Sequence, residues 1–202
     1  MRMTSLVAAV SVTVLIGCKK ETNGATDSAR IADSVKAAAP APASAAAPLT
    51  DANIAALLDE ANAGDSAGGK MATTKGTKAD VRAFGTLMMR DHHALRAAGH
   101  NLVKKLNLTP APPANDSLPG KVKAAQDNLA SRDKGAAWDK AYIDGEVGAH
   151  QMVLALIDQA QGAAHAPDLK ALLTKARPNI EMHLKRAQDI QSKLGADSTK
   201  KN

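Results

Sequence analysis

Apolar residues recur at three-and-four spacing through four long stretches of the chain, and each stripe contains a histidine or carboxylate near its middle. The first stripe, over about residues 51–74, reads Ile54, Leu57, Leu58, Ala61, Asp65, Gly68 and Ala72. Gly68 and the adjacent Gly69 either allow close helix contact or mark fraying. The second, over about residues 77–106, reads Val81, Phe84, Met88, His92, Leu95, Gly99, Leu102 and Leu106, and Thr77 followed by Asp80 predicts a capping box at its start. The third, over about residues 137–161, carries Ile143, Glu146, Val147, His150, Val153, Leu154, Ile157 and Ala160. The fourth, over about residues 167–194, carries Leu169, Leu172, Leu173, Ala176, Ile180, His183, Leu184, Ala187 and Ile190. Pro167 suits the first turn of that helix, and Pro178 inside it predicts a bend that strips the Thr174 carbonyl of its usual partner.

Between the second and third stripes, four prolines within residues 109–119 end one helix and impose an extended crossing. A short helix over about residues 118–132 follows, with Leu118, Val122 and Leu129 as its only large apolar residues, which makes it a poor candidate for core. Strand-like alternation is missing from the sequence. The pattern predicts an all-α fold: an antiparallel four-helix bundle with a short extra helix in the crossover between the second and third long helices.

Helix midpoints fall near residues 63, 92, 149 and 181, about two residues or less from Asp65, His92, His150 and His183. At 1.5 Å rise per residue the mismatch is roughly 3 Å, which side chains absorb, so the four groups are expected in one interior layer. Three imidazoles and a carboxylate suit one divalent metal ion such as zinc, iron or manganese, and the Met88 sulfur keeps copper open. Asp91, Glu146, Met88 and Glu181 form a second tier, with Glu146 or Asp91 placed to orient a histidine through its second nitrogen. The competing reading is a metal-free polar network in which the histidines bond carboxylates and backbone. His93 points about 100° away from His92, and His100 and His165 read as surface residues.

The N-terminus supplies an address. Residues 1–18 read as an export signal, with one basic residue, Arg2, an apolar run from Leu6 to Ile16, and Leu15-Ile16-Gly17-Cys18 resembling a lipobox. Cys18 is the only cysteine of the chain, which excludes an intrachain disulfide and a thiolate site in the folded part. Lipidation there predicts membrane attachment in the cell envelope, and Lys19 after the cysteine points to the outer membrane, facing the periplasm, if the cell is Gram-negative. Residues 19–49, rich in Ala, Pro and Ser, read as a disordered tether, residues 50–197 as the bundle domain, and residues 198–202 as a tail.

The formal charge of +6 falls to +5 once Arg2 leaves, and the basic side chains are spread over the helices. With one each of Phe, Trp and Tyr and no basic stripe, the chain is not expected to bind nucleic acid. It also lacks a nucleophile elbow, a P-loop and a dinucleotide fingerprint, so an enzymatic reading has to go through a metal.

Phe84-x3-Met88-x2-Asp91-His92, Trp138-x3-Tyr142-x7-His150, and the run from Leu172 through Pro178-x4-His183-Leu184 resemble the bacterial envelope domain of unknown function 4142. That resemblance implies a ferritin-like four-helix bundle in the envelope and no established activity. Asn62-x2-Asp65 is similar to the family's first-helix pattern, where Glu is more usual than Asp. A ferritin-like di-iron centre needs Glu-x2-His on two helices, and Met89, Val147 and Ile180 stand three residues before the histidines, so that signature is missing. The sequence therefore predicts a lipid-anchored binding or stress-protective module with a mononuclear metal site. A structural lipoprotein and a metal-dependent periplasmic enzyme are the alternatives.

Overall fold

The computed structural model describes residues 48–199, with side chains to residue 196. The expected signal, Cys18, most of the tether and the end of the tail lie outside the described residues. Five α-helices follow in order: α1 (Asp51–Lys75), α2 (Ala79–Lys105), α3 (Leu118–Ser131), α4 (Ala136–Ala163) and α5 (Pro167–Thr199). Among the described residues there are no strands. The four long helices match the four stripes, and α3 is the short extra helix. α5 runs on to Thr199, where the apolar pattern put its end near residue 194.

Helix starts are fixed by side chains, and not always the expected ones. Thr50 caps α1, its hydroxyl accepting from Asn53 N while the Asn53 side chain accepts from Thr50 N, a reciprocal pair the sequence reading passed over. The capping box expected at Thr77 and Asp80 does not form. Lys78 is the N-cap of α2 and its side chain does not cap the helix, while Thr77 is turned to the buried carboxylate of Asp139 at the start of α4. Asp139 accepts from Thr77 N at 2.8 Å and Lys78 N at 3.0 Å, so a residue distant in sequence satisfies the backbone donors that lead into the helix. Asp51 does the same for the entry to α5, accepting from His165 N and Ala166 N. Lys75 donates to carbonyls at the end of α3, those of Leu129, Ala130 and Arg132.

α1 packs along α2, α4 packs along α5, and α3 lies chiefly on α1. Two glycines set the first of these contacts. A Cβ on Gly69 would stand 2.6 Å from the Gly85 carbonyl oxygen, and one on Gly85 would stand 2.6 Å from Ala72 Cβ. Gly69 therefore marks close approach, not fraying. The crossover leaves α2 at Asn107, whose φ of 50° the short Asn side chain tolerates. It is then pinned to α1 by Asn53 Nδ2 donating to Ala111 O.

Apolar residues bury in two clusters. One gathers Leu49, Ile54, Leu57, Leu118, Val153, Ile157, Leu173 and Ile180, so the folded part takes in Leu49, at the end of the expected tether, and α3 contributes Leu118 to the core. The other gathers Ala72, Val81, Phe84, Met88, Trp138, Tyr142, Ile143, Ala187 and Ile190. Trp138 stacks on Tyr142 at 5.4 Å and donates its indole N–H to Leu129 O. Along each long helix, the residues between the two clusters are polar and buried: Asp65, His92, Glu146, His150 and His183.

Candidate metal centre

α2, α4 and α5 each project one imidazole inward from the middle of the helix. His92, His150 and His183 are all at most 1 % exposed, and their ring centroids stand 5.2–5.4 Å apart pairwise. Each ring offers a nitrogen such that the three nitrogens lie within 4.8 Å of one another. The convergence expected from helix midpoints is thus realised for the histidines.

One nitrogen of every ring is held by an oxygen. His92 Nδ1 meets Asn62 Oδ1 at 2.7 Å, His150 Nδ1 meets the Glu146 carbonyl at 2.9 Å, and His183 Nε2 meets Asp91 Oδ2 at 3.0 Å. Each of those oxygens accepts, so the nitrogen facing it carries the proton and donates. The opposite nitrogens, His92 Nε2, His150 Nε2 and His183 Nδ1, are buried with no hydrogen-bond partner. In a neutral imidazole these are lone pairs.

The rings are neutral near pH 7. Burial, reinforced by the neighbouring imidazoles, brings His92 down to about 3. Burial likewise brings His150 to about 4, and it lowers His183 although the Asp91 carboxylate pulls the other way. Asp91 itself is held below the usual carboxylate range by its hydrogen bond from Arg90, with the one to His183 adding to it.

Asp65 keeps different company from that expected. It groups with Glu146 and His150, and the three offer ligand atoms within 4.8 Å of one another. Its carboxylate lies 3.5 Å from His92 Nδ1, on the edge of the ring that carries the proton, and Glu146 Oε2 lies 3.5 Å from His150 Nδ1 in the same relation. Both carboxylates therefore stand behind the rings, away from the free Nε2 atoms. Burial lifts Asp65 to about 7, and burial with the Asp65 charge lifts Glu146 well above its ordinary range.

The second-tier residues divide. Asp91 orients His183, and Glu146 joins Asp65. Met88 is buried in the apolar cluster with Phe84 and Trp138, while Glu181 is half exposed and paired with Arg177. His93 is exposed, His165 is exposed as expected, and His100 bonds Asp59 at the surface. Asn62 and Tyr142 were not singled out as site residues. Asn62 lies three residues before Asp65 and Tyr142 four before Glu146, so helical spacing from an acid was the available signal.

Fold and site together define an all-α helical protein with a buried cluster of three histidines and a carboxylate pair beside it. The chain belongs to the family described as a domain of unknown function (DUF4142), whose model matches residues 36–190. No curated protein matches the chain, and no solved structure does.

The donor set fits a divalent metal. Three neutral imidazoles, each with its second nitrogen bonded to an acceptor, is how metal-ligating histidines are ordinarily held, because the outer bond fixes tautomer and ring orientation. His92, His150 and His183 are the residues that can hold the ion.

Proposed function

We propose that this chain is a lipid-anchored cell-envelope protein whose ferritin-like bundle binds one divalent metal ion through His92, His150 and His183. The observation that carries the reading is the three buried ring nitrogens without a partner, each on a ring whose other nitrogen is held. A metal-free polar network accounts for them less well, since a buried acceptor left unpaired costs about 1–3 kcal/mol. When bound, the ion supplies positive charge to three lone pairs that otherwise face one another.

The bundle is read as antiparallel from the order of its core. On α1 and α5 the cluster containing Ile54 and Leu173 precedes the polar layer in sequence, whereas on α4 the same cluster, at Val153 and Ile157, follows it. On α2, the cluster containing Val81 and Phe84 precedes His92. The simplest packing that brings those halves together runs α1 and α5 one way and α2 and α4 the other, so that α1 is antiparallel to α2 and α4 to α5.

Membrane attachment rests on the lipobox at Cys18, with the periplasmic face of an outer membrane as its place in a Gram-negative cell. The reading is a binding module, not an enzyme.

Metal analysis of protein purified without a histidine tag tests the centre. One equivalent of zinc, iron, manganese or copper is expected, and a His150→Ala/His183→Ala variant loses it. Protein that stays metal-free after growth in supplemented medium, with an unfolding midpoint indifferent to EDTA, refutes the site. Attachment has its own test: Cys18→Ser is expected to move the protein from membrane to soluble fraction, and unchanged fractionation removes the anchor from the reading.

A further inference from the structure

Between α1 and α4, on the side covered by α3, lies a cavity of about 300 Å3. Its walls are mostly apolar, with Leu118, Val122 and Leu129 contributed by α3. Gly64 and Gly68 let its walls come close. A Cβ on Gly64 would press on Val122 at 3.0 Å, and one on Gly68 would crowd the Glu146 carboxylate at 3.3 Å. Three polar groups line it from the buried side: Asp65, Glu146 and Tyr142. Glu146 Oε2 and the Tyr142 hydroxyl form no well-aligned hydrogen bond and interact electrostatically with each other, although Glu146 is 5 % and Tyr142 1 % exposed. The nearest rings to the two carboxylates, His92 and His150 at 3.5 Å, are neutral and already turn Nδ1 to Asn62 and to the Glu146 carbonyl. Exposed Lys121 and half-buried Asp144 bring opposite charges to the lining, so selection by charge falls to the two buried acids.

We propose that this cavity is a binding site for a small organic ammonium ion, its hydrocarbon body against Leu118, Val122 and Leu129 and its –NH3+ donating to Asp65, Glu146 and the Tyr142 oxygen. An ammonium head has three donors, and the buried end of the cavity presents three oxygen-bearing side chains. A second metal ion fits less well. His150 Nδ1 is spent on the Glu146 carbonyl, which leaves two carboxylates as charged donors, and apolar walls do not hold the waters that hard cations keep. A neutral alcohol has one donor to offer and no charge for the acids. A pocket with apolar walls and few polar groups is the usual form of a small-molecule site. This site does not rest on the metal centre.

Isothermal titration of the full chain with n-hexylamine and with n-hexanol tests the assignment, in EDTA-treated and in zinc-loaded protein. Saturable binding of one hexylamine is expected in both preparations, roughly tenfold or more tighter than hexanol. Val122→Trp, which fills the cavity without touching the acids, is expected to weaken hexylamine by a similar factor. Glu146→Gln is expected to abolish the preference for amine over alcohol, with Asp65→Asn as the substitute should that variant fail to fold. Equal affinity for the two probes, absence of saturation, or wild-type binding by Val122→Trp overturns the proposal. Binding seen only in zinc-loaded protein also overturns it, because the amine would then be a metal ligand.

Discussion

His92 and His150 leave Nε2 free while His183 leaves Nδ1 free, and the difference lies in where each finds its acceptor. His150 reaches back to the carbonyl of its own helix one turn earlier, His92 across to Asn62 on α1, and His183 across to Asp91 on α2. Asn62 is thus a positioning residue, and Asn62→Ala is expected to weaken metal binding by about 10–100-fold. Competition with a chromophoric chelator measures this, and unchanged affinity would show that packing alone orients the ring.

Asp65 allows a signed statement about pH. Its ordinary value is 3.8 and its folded value about 7, so between these the folded chain holds a proton that the unfolded chain has released. The stability this group contributes is complete below about 3.8 and is lost as pH rises through about 7. Asp65→Asn removes that dependence, and in EDTA-treated protein the variant should gain on wild type as pH rises across the window. Urea midpoints at pH 5 and pH 7 are the measurement. Parallel midpoints at both values would contradict the assignment.

Single helices do not settle their own ends here. α2 has Thr77 and Asp80 in capping-box register, yet Asp139 on α4 takes the Thr77 hydroxyl and two backbone donors. A buried carboxylate with three donors outcompetes a local cap because its own charge also needs satisfying. The pairing of α1 with α2 depends on the absence of a Cβ at Gly85, where a methyl group would meet Ala72 Cβ at 2.6 Å and the Gly69 carbonyl at 2.7 Å. Helix propensity favours alanine by up to about 1 kcal/mol. Because backbone must move to admit the methyl group, Gly85→Ala is nonetheless expected to destabilise the protein, by about 1–3 kcal/mol. Denaturant unfolding decides the sign, and a stabilised variant would mean that the two helices part without cost.

Across the described residues, the polar layer interrupts a largely apolar interior, with one hydrophobic cluster on each side. A layer of neutral rings and buried acids is tolerated there, and a bound ion would join three helices that the chain connects only at their ends. Zinc at a free concentration one hundred times its dissociation constant stabilises the folded state by about 2.7 kcal/mol. For a chain of this size the thermal midpoint should rise by roughly 5–10 °C. Differential scanning calorimetry with zinc and with EDTA gives the comparison, and coincident transitions would leave the layer as a structural network.

What the sequence determined by itself was periodic: the helical class, the extent of four long helices and the short extra one, and the placing of His92, His150 and His183 on inward stripes. Helical spacing is a local property, and the hydrophobic stripe orients each helix before any partner is known. Tertiary structure decided whatever depends on atoms from two helices at once. It set which nitrogen of each ring is free, moved Asp65 from the imidazole set to a pair with Glu146, turned Glu181 to solvent and Met88 into the apolar core, and gave the start of α2 to Asp139. Those outcomes turn on ångström-scale rotation and offset between packed helices, which the packing of many distant side chains settles together and no short stretch of sequence encodes.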